Sequence, residues 1–491
     1  MTTAWPASWP DPLRPADARE RRLAVIGGGW AGLAAAVRAT ELGWQVEVFE
    51  AARHWGGRAR ALATPAADTP AGMAALDNGQ HILIGGYRAT LGLLQQLGVE
   101  LESALLQLPL DLRHADGSGL AVPGWAARWP PPLDLLAAIL GARGWNWRDR
   151  LALLRTSLRW RAAGFACPAD LNVAGLCAGL PPRVIDELIE PLCLSALNTP
   201  LAQASAAVLL RVLQDALFGA GFGRWRGADL LLPRVDLDEL LPGPALHWLA
   251  DRGARLHAGR RVTALQRQPE GWRIENRDCE AVLLACPPRE AARLVRSAGM
   301  GEPDEPDDSS APDGLGSGLA GQASRRWIAQ AEALDHEAIA TVYAQAQRAD
   351  GSPAGLPDGA AMVALRSSPE APAQFAFDRG RLGGPAGLLA FVVSASRGER
   401  AEIERLVLAQ AREQLGLGRL QALRTVVEKR ATFACTPGLQ RPGAEIAPGL
   451  WAAGDYVAGP YPATLEGAVR SGQQAAEGLQ ATCWPAANSG R

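Results

Sequence analysis

Lysine is almost absent from this chain: Lys429 is the single lysine among 49 basic residues, which are balanced by 51 acidic ones. The net charge is only −2, which excludes a nucleic-acid binder that works through bulk positive charge. Arginine in place of lysine is typical of a GC-rich genome. Tyrosine is also scarce, with four residues against 16 tryptophans. The tryptophan excess has the same genomic origin or indicates an apolar ligand or a membrane interface.

Cysteine is sparse and scattered. The seven cysteines are odd in number and form no Cys-x-x-Cys pair. This argues against zinc and disulfides, so we expect no metal site and a reducing compartment. The N-terminus lacks the basic start and apolar run of a signal peptide. The longest uncharged stretch, 191–210, is interrupted at Asn198 and Pro200, so we expect a cytoplasmic protein without a transmembrane helix.

A glycine-rich turn near the N-terminus predicts a dinucleotide site. Residues 23–26 form an apolar run typical of a buried parallel strand, and residues 27–32 read Gly-Gly-Gly-Trp-Ala-Gly. A helical pattern follows at 33–42, and a second strand at 45–50 ends in an acid. This strand–turn–helix–strand unit has the length that the dinucleotide fingerprint requires.

The chemistry of dinucleotides explains this spacing. Gly27 allows the tight turn, Gly29 lets the backbone approach a pyrophosphate, and Gly32 lets helix and strand pack closely. The helix N-terminus offers unpaired N–H groups to the phosphates, and Glu50 can accept hydrogen bonds from ribose hydroxyls. The candidate contacts in this unit are Gly27, Gly29, Trp30, Ala31, Gly32, Glu50 and Ala51.

The residues after the acid favour FAD over NAD. Gly56, Gly57 and Arg58 follow Glu50 at a spacing that is foreign to the NAD pattern. They resemble the extended FAD motif of the amine oxidase and phytoene desaturase superfamily, which continues to an acid-x-Gly element matched by residues 77–79. The resemblance implies FAD as the cofactor. It adds contacts at Gly57, Arg58, Gly79, Gln80 and His81.

A second part of the FAD motif lies near the C-terminus. A strand-like run ends in Gly454 and Asp455, and a helical pattern begins near Thr464 and Leu465. In FAD proteins of this class the acid holds a ribityl hydroxyl and the helix N-terminus faces the flavin, where its dipole stabilises a reduced, anionic ring. The resemblance assigns these four residues to the cofactor and places the backbone of Val262 against the adenine.

The order of these motifs indicates a domain that is interrupted twice. The length of 491 residues suggests about three domains, but the motifs indicate two: an α/β, Rossmann-type FAD-binding domain, similar to glutathione reductase, interleaved with an α+β substrate domain. The predicted FAD-binding segments are 20–90, 245–300 and 425–491, and the substrate-domain segments are 91–244 and 325–424. The acidic segment 299–324 is predicted to be a disordered loop.

Four further stretches make the resemblance more specific: 77–87, 191–200, 374–380 and 428–437. They resemble the squalene-associated FAD-dependent desaturase family, whose members are understood as hydroxysqualene dehydroxylases of hopanoid biosynthesis. The resemblance covers about residues 22–478. It implies an oxidoreductase in which hydroxysqualene loses its hydroxyl group, gains a hydride from reduced FAD and becomes squalene.

Two residues are candidates for catalysis. The departing hydroxyl group needs a proton, and His81 has an ordinary pKa of about 6.5, which suits proton transfer. The alternative is that His81 orders the cofactor loop by hydrogen bonding. Tyr461 precedes the flavin-facing helix, where it could line the substrate cavity or serve only in packing.

Other functions share these motifs. A carotenoid-type desaturase would use oxidised FAD to remove hydride from a long isoprenoid, and cofactor motifs do not separate it from a dehydroxylase. An amine oxidase is less favoured, because paired aromatic residues are missing near Gly454 and Asp455. A non-catalytic lipid-binding module on the same fold is disfavoured by the complete FAD motif.

The expected partners follow from a long isoprenoid alcohol substrate, which a protein without a spanning helix must take from a membrane. The segment 124–160 also contains several arginines beside five tryptophans, which are Trp125, Trp129, Trp145, Trp147 and Trp160. This composition is typical of a peripheral membrane contact, possible at the inner face of the membrane; a helical lid is the alternative. A nicotinamide or a separate reductase is expected as electron donor, and no nucleic acid is expected to bind.

Overall fold

The apolar run near the N-terminus forms the strand Arg22–Ile26 at the centre of a six-stranded sheet. The computed structural model describes residues 21–62, 76–300 and 314–483. Leu23 and Val25 pack on one face of the sheet and Ala24 and Ile26 on the other, because both faces are covered. The sheet is parallel except for one edge strand, and its spatial order is Glu445–Ala447, Leu450–Ala452, Ala281–Leu284, Arg22–Ile26, Gln45–Glu50 and Arg255–Ala258.

Different layers cover the two faces of this sheet. The helices Trp30–Glu41 and Leu465–Cys483 lie side by side on one face. They approach closely, since a Cβ at Gly472 would lie 2.2 Å from the carbonyl oxygen of Ala31. The other face is covered by an antiparallel sheet of three strands, Leu265–Gln268, Gly271–Ile274 and Arg277–Cys279.

A five-stranded antiparallel sheet forms the second large layer. Its longest strand, His336–Gln347, alternates between two environments, as a period of two residues requires. Val342 and Ala344 pack on the side of the helix Arg400–Leu415, whereas Tyr343 faces the opposite side. The spatial order of the strands is Met362–Ala364, Phe375–Asp378, Leu388–Val393, His336–Gln347 and Arg419–Phe433.

Shorter elements complete the described structure. Two small sheets contain Leu83–Ile84, Leu230–Pro233 and Leu105–Leu108 in the first and Asp111–Arg113 and Gly119–Ala121 in the second. The other α-helices are Arg88–Gln96, Leu101–Ala104, Leu133–Gly141, Trp147–Ala162, Val173–Leu176, Pro182–Val184, Glu190–Leu197, Ala206–Phe218, Leu237–Leu240, Pro242–Asp251, Pro288–Ser297 and Gly314–Glu332. A π-helical segment spans Ile185–Ile189, and 3-10 turns span Gly124–Ala126, Pro357–Gly359 and Arg379–Leu382.

The predicted fold class is confirmed: a mixed α/β structure with a parallel, Rossmann-type sheet. The strands of that sheet come from three separate parts of the chain, around 22–50, 255–284 and 445–452. The domain boundaries stay a prediction. No helix in the described part of the chain is long and apolar enough to cross a membrane.

The predicted disordered loop at 299–324 needs a correction. Residues 301–313 lie outside the described residues, but the helix Gly314–Glu332 includes the last part of the segment. Its C-terminal half is anchored in the core, because Trp327 and Ile328 are buried and the indole N–H of Trp327 donates to the carbonyl oxygen of Gly443 at 2.8 Å. An anchored half-helix stabilises the turns that precede it.

Candidate functional site

The glycine turn leaves no room for side chains at two positions. A Cβ at Gly32 would lie 1.9 Å from the carbonyl oxygen of Gly27, and Gly27 has a φ of +116°, which favours glycine. The helix Trp30–Glu41 begins immediately after Gly29, and no side chain caps it. Its first N–H groups therefore face the adjoining cavity and are available to an anion.

The second pair of glycines packs directly on this turn. The N–H of Gly56 donates to the carbonyl oxygen of Gly28 at 2.9 Å. A Cβ at Gly57 would lie 3.1 Å from the Cα of Gly29. The extended motif and the first turn thus form one backbone surface.

Glu50 is held at the end of its strand. One carboxylate oxygen accepts from the N–H of Gly28 and the other from the N–H of Ala52, both at 2.7 Å. The chain that leads to Val262 runs alongside, since the N–H of Arg260 donates to the carbonyl oxygen of Glu50 at 2.8 Å. Val262 is buried and lines the same cavity as Glu50.

Arg58 and Asp455 join the two distant parts of the FAD motif. Their side chains form an ion pair at 2.5 Å, and Arg58 also donates to the carbonyl oxygen of Ala431 at 2.9 Å. Burial lowers the pKa of the Arg58 guanidinium, but the carboxylate of Asp455 more than offsets this, so the net pKa is raised. The Arg58 guanidinium is therefore charged beside the cavity.

The helix Leu465–Cys483 directs its N-terminus toward the same cavity. The hydroxyl of Thr464 accepts from the N–H of Gly467 at 3.0 Å and donates to the carbonyl oxygen of Tyr461 at 2.8 Å. Nearby, the hydroxyl of Tyr456 is buried in the wall and finds no partner among the described residues. A buried hydroxyl without a partner is costly, which is consistent with a polar ligand supplying one.

His81 lies in the cavity wall with a defined proton arrangement. Its Nδ1 lies 2.9 Å from the carbonyl oxygen of Gly79. Because a carbonyl oxygen only accepts, Nδ1 must carry the proton. Burial lowers the pKa of His81, so the ring is neutral and Nε2 has a free lone pair. The geometry makes His81 an acceptor rather than the proton donor for which it was a candidate, and its bond to Gly79 is of the kind expected from the loop-ordering alternative.

A buried network supports the loop that carries His81. Asp77 accepts from the N–H of Leu237 at 2.9 Å and lies 3.8 Å from the guanidinium of Arg379. Arg379 in turn donates to the side-chain oxygen of Gln80 at 3.1 Å. Burial raises the pKa of Asp77 to about 7, although the Leu237 amide and Arg379 oppose it.

The two glycine pairs, Glu50, Arg58, Asp455 and His81 meet around one cavity of about 780 Å³. Of the residues predicted from sequence, sixteen line it: Gly27, Gly29, Trp30, Ala31, Glu50, Ala51, Gly57, Arg58, Gly79, Gln80, His81, Val262, Gly454, Asp455, Thr464 and Leu465. Gly32 does not, because it lies in the helix–strand contact, as its predicted packing role requires.

Tyr461 is also absent from the cavity wall. Its ring packs against the guanidinium of Arg470, 5.4 Å from the ring centroid, and its hydroxyl group bonds to Asp215. The structure thus places Tyr461 beside charged groups, which suits the packing role named as its alternative, and its catalytic role stays a prediction.

The far end of the cavity has an apolar wall that sequence motifs did not assign to the site. Phe375 and Phe377 lie there with ring centroids 6.5 Å apart, and other members are Ile82, Ala196, Ile339 and Val392. The sequence signal for this wall was the alternating Phe-Ala-Phe of residues 375–377, because alternate residues of a strand lie on the same face of the sheet.

Asn198 connects stretches that are far apart in the sequence. It ends the helix Glu190–Leu197 in a left-handed conformation, with a φ of +48°. Its side chain donates to the hydroxyl of Thr432 at 2.9 Å and accepts from the N–H of Ala395 at 2.6 Å. Three elements around the apolar end are thereby fixed relative to one another.

Comparisons with known proteins agree with this arrangement. The sequence pattern of the family described as flavin containing amine oxidoreductase matches residues 30–480. The chain belongs to this family. The residues of the cavity fit FAD, since glycine backbone and an uncapped helix suit its phosphates and the Tyr456 hydroxyl has no partner in the described part of the chain. We therefore describe the protein as an FAD-dependent oxidoreductase.

Individual relatives cover nearly the whole chain. A hydroxysqualene dehydroxylase of Rhodopseudomonas palustris is 29% identical, over 92% of this chain and 97% of its own length. Another, of Sinorhizobium fredii, is 26% identical, over 93% and 98%. Among solved structures, an oxidoreductase from Methanosarcina mazei has a TM-score of 0.64 at 15% identity, covering 93% of this chain and 100% of that one. Cyclohexylamine oxidase from Brevibacterium oxydans has a TM-score of 0.61 at 15% identity, covering 94% and 99%.

Proposed function

We propose that this flavoenzyme catalyses the reductive dehydroxylation of hydroxysqualene to squalene, as a step of hopanoid biosynthesis. The observation that carries the proposal is the near full-length similarity to relatives named hydroxysqualene dehydroxylase. The two-ended cavity supports it, because a long hydrocarbon suits the wall around Phe375 and Phe377 while polar groups line the other end.

The reaction replaces a hydroxyl group with hydrogen. The C–O bond breaks, the leaving oxygen takes up a proton to become water, and a hydride forms the new C–H bond. Reduced FAD supplies the hydride. The adjacent alkene delocalises the positive charge that develops on carbon.

His81 has a defined role in this proposal. Its unprotonated Nε2 would accept a hydrogen bond from the substrate hydroxyl group and so orient the C–O bond. A neutral histidine with its proton on Nδ1 has none to donate from Nε2. The proton of the leaving water therefore comes from a donor other than His81.

The decisive test is the direction of electron flow. The enzyme, reduced anaerobically with dithionite, should convert hydroxysqualene to squalene, detected by mass spectrometry. Enzyme with oxidised FAD and no reductant is the control, and it should form no squalene. Hydride removal from an isoprenoid by the oxidised enzyme would instead support a desaturase. A purified protein without flavin absorbance that binds the lipid unchanged would support a lipid-binding module.

A substitution tests His81 separately. His81→Ala should keep FAD absorbance but lose at least about tenfold in turnover, because the hydroxyl group is no longer oriented. Since burial lowers the pKa of His81, wild-type activity should persist at neutral pH and fall as the pH drops through that pKa. Activity that falls on raising the pH would restore His81 as the proton donor. Full turnover in His81→Ala would remove it from the mechanism.

A further inference from the structure

The largest exposed apolar side chains are concentrated in one part of the molecule. Across the described ranges, the eight large apolar side chains that are exposed all lie between residues 125 and 218: Trp125, Trp129, Leu133, Leu136, Leu140, Trp147, Leu158 and Phe218. Soluble surfaces usually scatter such residues singly. The first five follow one another along the turn Gly124–Ala126 and the helix Leu133–Gly141, and we call them the apolar surface.

The apolar surface is a formed structure. Trp125 and Trp129 contact edge to face, with ring centroids 4.9 Å apart. Leu133, Leu136 and Leu140 share one face of their helix, since they are three and four residues apart. The other residues of this helix that reach the core are Asp134, Ala137, Ala138 and Ile139, which are all buried.

Charge is absent from the apolar surface and abundant around it. Between Trp129 and Ala142 the sole charged residue is Asp134, which is buried and paired with Arg226 at 2.8 Å. The wider segment 124–162 contains seven arginines and two acids. The second acid, Asp149, is also buried, where it accepts from the N–H of Asn146 at 3.0 Å. The exposed charged side chains of this segment are therefore all arginines.

Two tryptophans of this segment belong to the interior. Trp145 is buried, and its indole N–H donates to Glu187 at 2.8 Å. Trp160 is buried as well. The membrane contact predicted from five tryptophans therefore cannot include Trp145 and Trp160. The exposed surface centres instead on Trp125, Trp129 and the three leucines.

We propose that the apolar surface enters the interface of an anionic lipid bilayer, with the surrounding arginines on the lipid phosphates. Tryptophan and leucine above a cationic margin match the apolar and headgroup layers of such an interface. A second copy of this chain fits less well. Two apolar surfaces in contact would bring both sets of seven arginines together without exposed acids from this segment to balance them.

Vesicle flotation tests the proposal without substrate, so its result is independent of the proposed reaction. The FAD-loaded protein should float with phosphatidylglycerol-containing vesicles at low salt. Leu136→Gln/Leu140→Gln should float at least about tenfold less, because two exposed leucines no longer leave water. Leu136→Met/Leu140→Met is the matched control and should float like the wild type. Equal flotation of the Gln variant would overturn the proposal.

A second pair of variants tests the cationic margin. Arg128→Gln/Arg143→Gln should weaken flotation with anionic vesicles several-fold and reduce its salt dependence, whereas Arg405→Gln/Arg419→Gln, elsewhere on the surface, should not. Equal binding of the wild type to uncharged phosphatidylcholine vesicles would overturn the headgroup contact. If the wild type is a dimer without vesicles and the Leu136→Gln/Leu140→Gln variant is a monomer, the surface joins two copies and the proposal fails.

Discussion

Backbone atoms form the wall at one end of the cavity, whereas aromatic and aliphatic side chains form it at the other. At the glycine end, a Cβ at Gly57 would lie only 3.1 Å from the Cα of Gly29, and Arg58 pairs with Asp455. At the apolar end, Phe375 and Phe377 project from a strand whose neighbours hold it in place. The first end is fixed by the main chain and the second by packing.

This difference predicts how each end responds to substitution. An added Cβ at a glycine contact must move backbone, which is tied into strand and helix. A changed aromatic side chain can be accommodated by rotation of its neighbours, because cores tolerate apolar exchanges of similar volume. The glycine end should therefore fail abruptly and the apolar end gradually.

The largest effect should come from Gly32→Ala. Its Cβ would lie 1.9 Å from the carbonyl oxygen of Gly27, so the helix must move away from the strand. We expect a loss of about 3 kcal/mol or more in the free energy of unfolding, with loss of bound FAD. Urea unfolding and flavin absorbance measure the two effects.

Gly418→Ala is the matched control, because nothing lies within 4 Å of its added Cβ. It should change the free energy of unfolding by less than about 1 kcal/mol. If Gly32→Ala loses no more unfolding free energy and no more FAD than Gly418→Ala does, close backbone contacts do not explain why the glycine end is sensitive to substitution.

The glycine end was also the part that sequence could predict. The residues of its glycine turn are neighbours in the chain, so strand, turn and helix follow one another, and the strand expected at 45–50 is Gln45–Glu50. Asp455 lies 397 residues from Arg58 and was assigned through the family resemblance. The apolar end depends on contacts such as Asn198 with Thr432, which are 234 residues apart. No local pattern shows which distant strand a side chain will meet, nor that Trp145 is buried while Trp147 is exposed.

The buried carboxyl group of Asp77, two residues before Gly79 in the cavity wall, should show a pH effect. Burial raises the pKa of Asp77 from 3.8 to about 7, so the folded protein holds this proton more tightly than the unfolded chain does. Its contribution to stability is present at low pH and is lost as the pH rises from about 4 to about 7. Asp77→Asn cannot ionise and can still accept from Leu237.

The free energy of unfolding of Asp77→Asn should therefore rise relative to the wild type across that window, by at most about 1.4 kcal/mol for each pH unit. Urea unfolding at several pH values gives this slope, and the exposed Asp251→Asn is the control. A difference that stays constant from pH 4 to 7 would show that Asp77 ionises normally beside Arg379.

The smallest effect should come from Phe375→Leu at the apolar end. Leucine keeps an apolar contact but leaves part of the ring volume empty, so we expect a loss of about 1 kcal/mol in the free energy of unfolding. FAD absorbance should be unchanged, while KM for the isoprenoid rises several-fold.

Phe391→Leu is the control, because Phe391 is buried on the opposite face of the same sheet, toward the helix Arg400–Leu415. Its KM should stay at the wild-type value although its stability falls. Equal KM values in both variants would mean that the substrate does not reach this wall, and loss of FAD in Phe375→Leu would mean that the two ends are not independent.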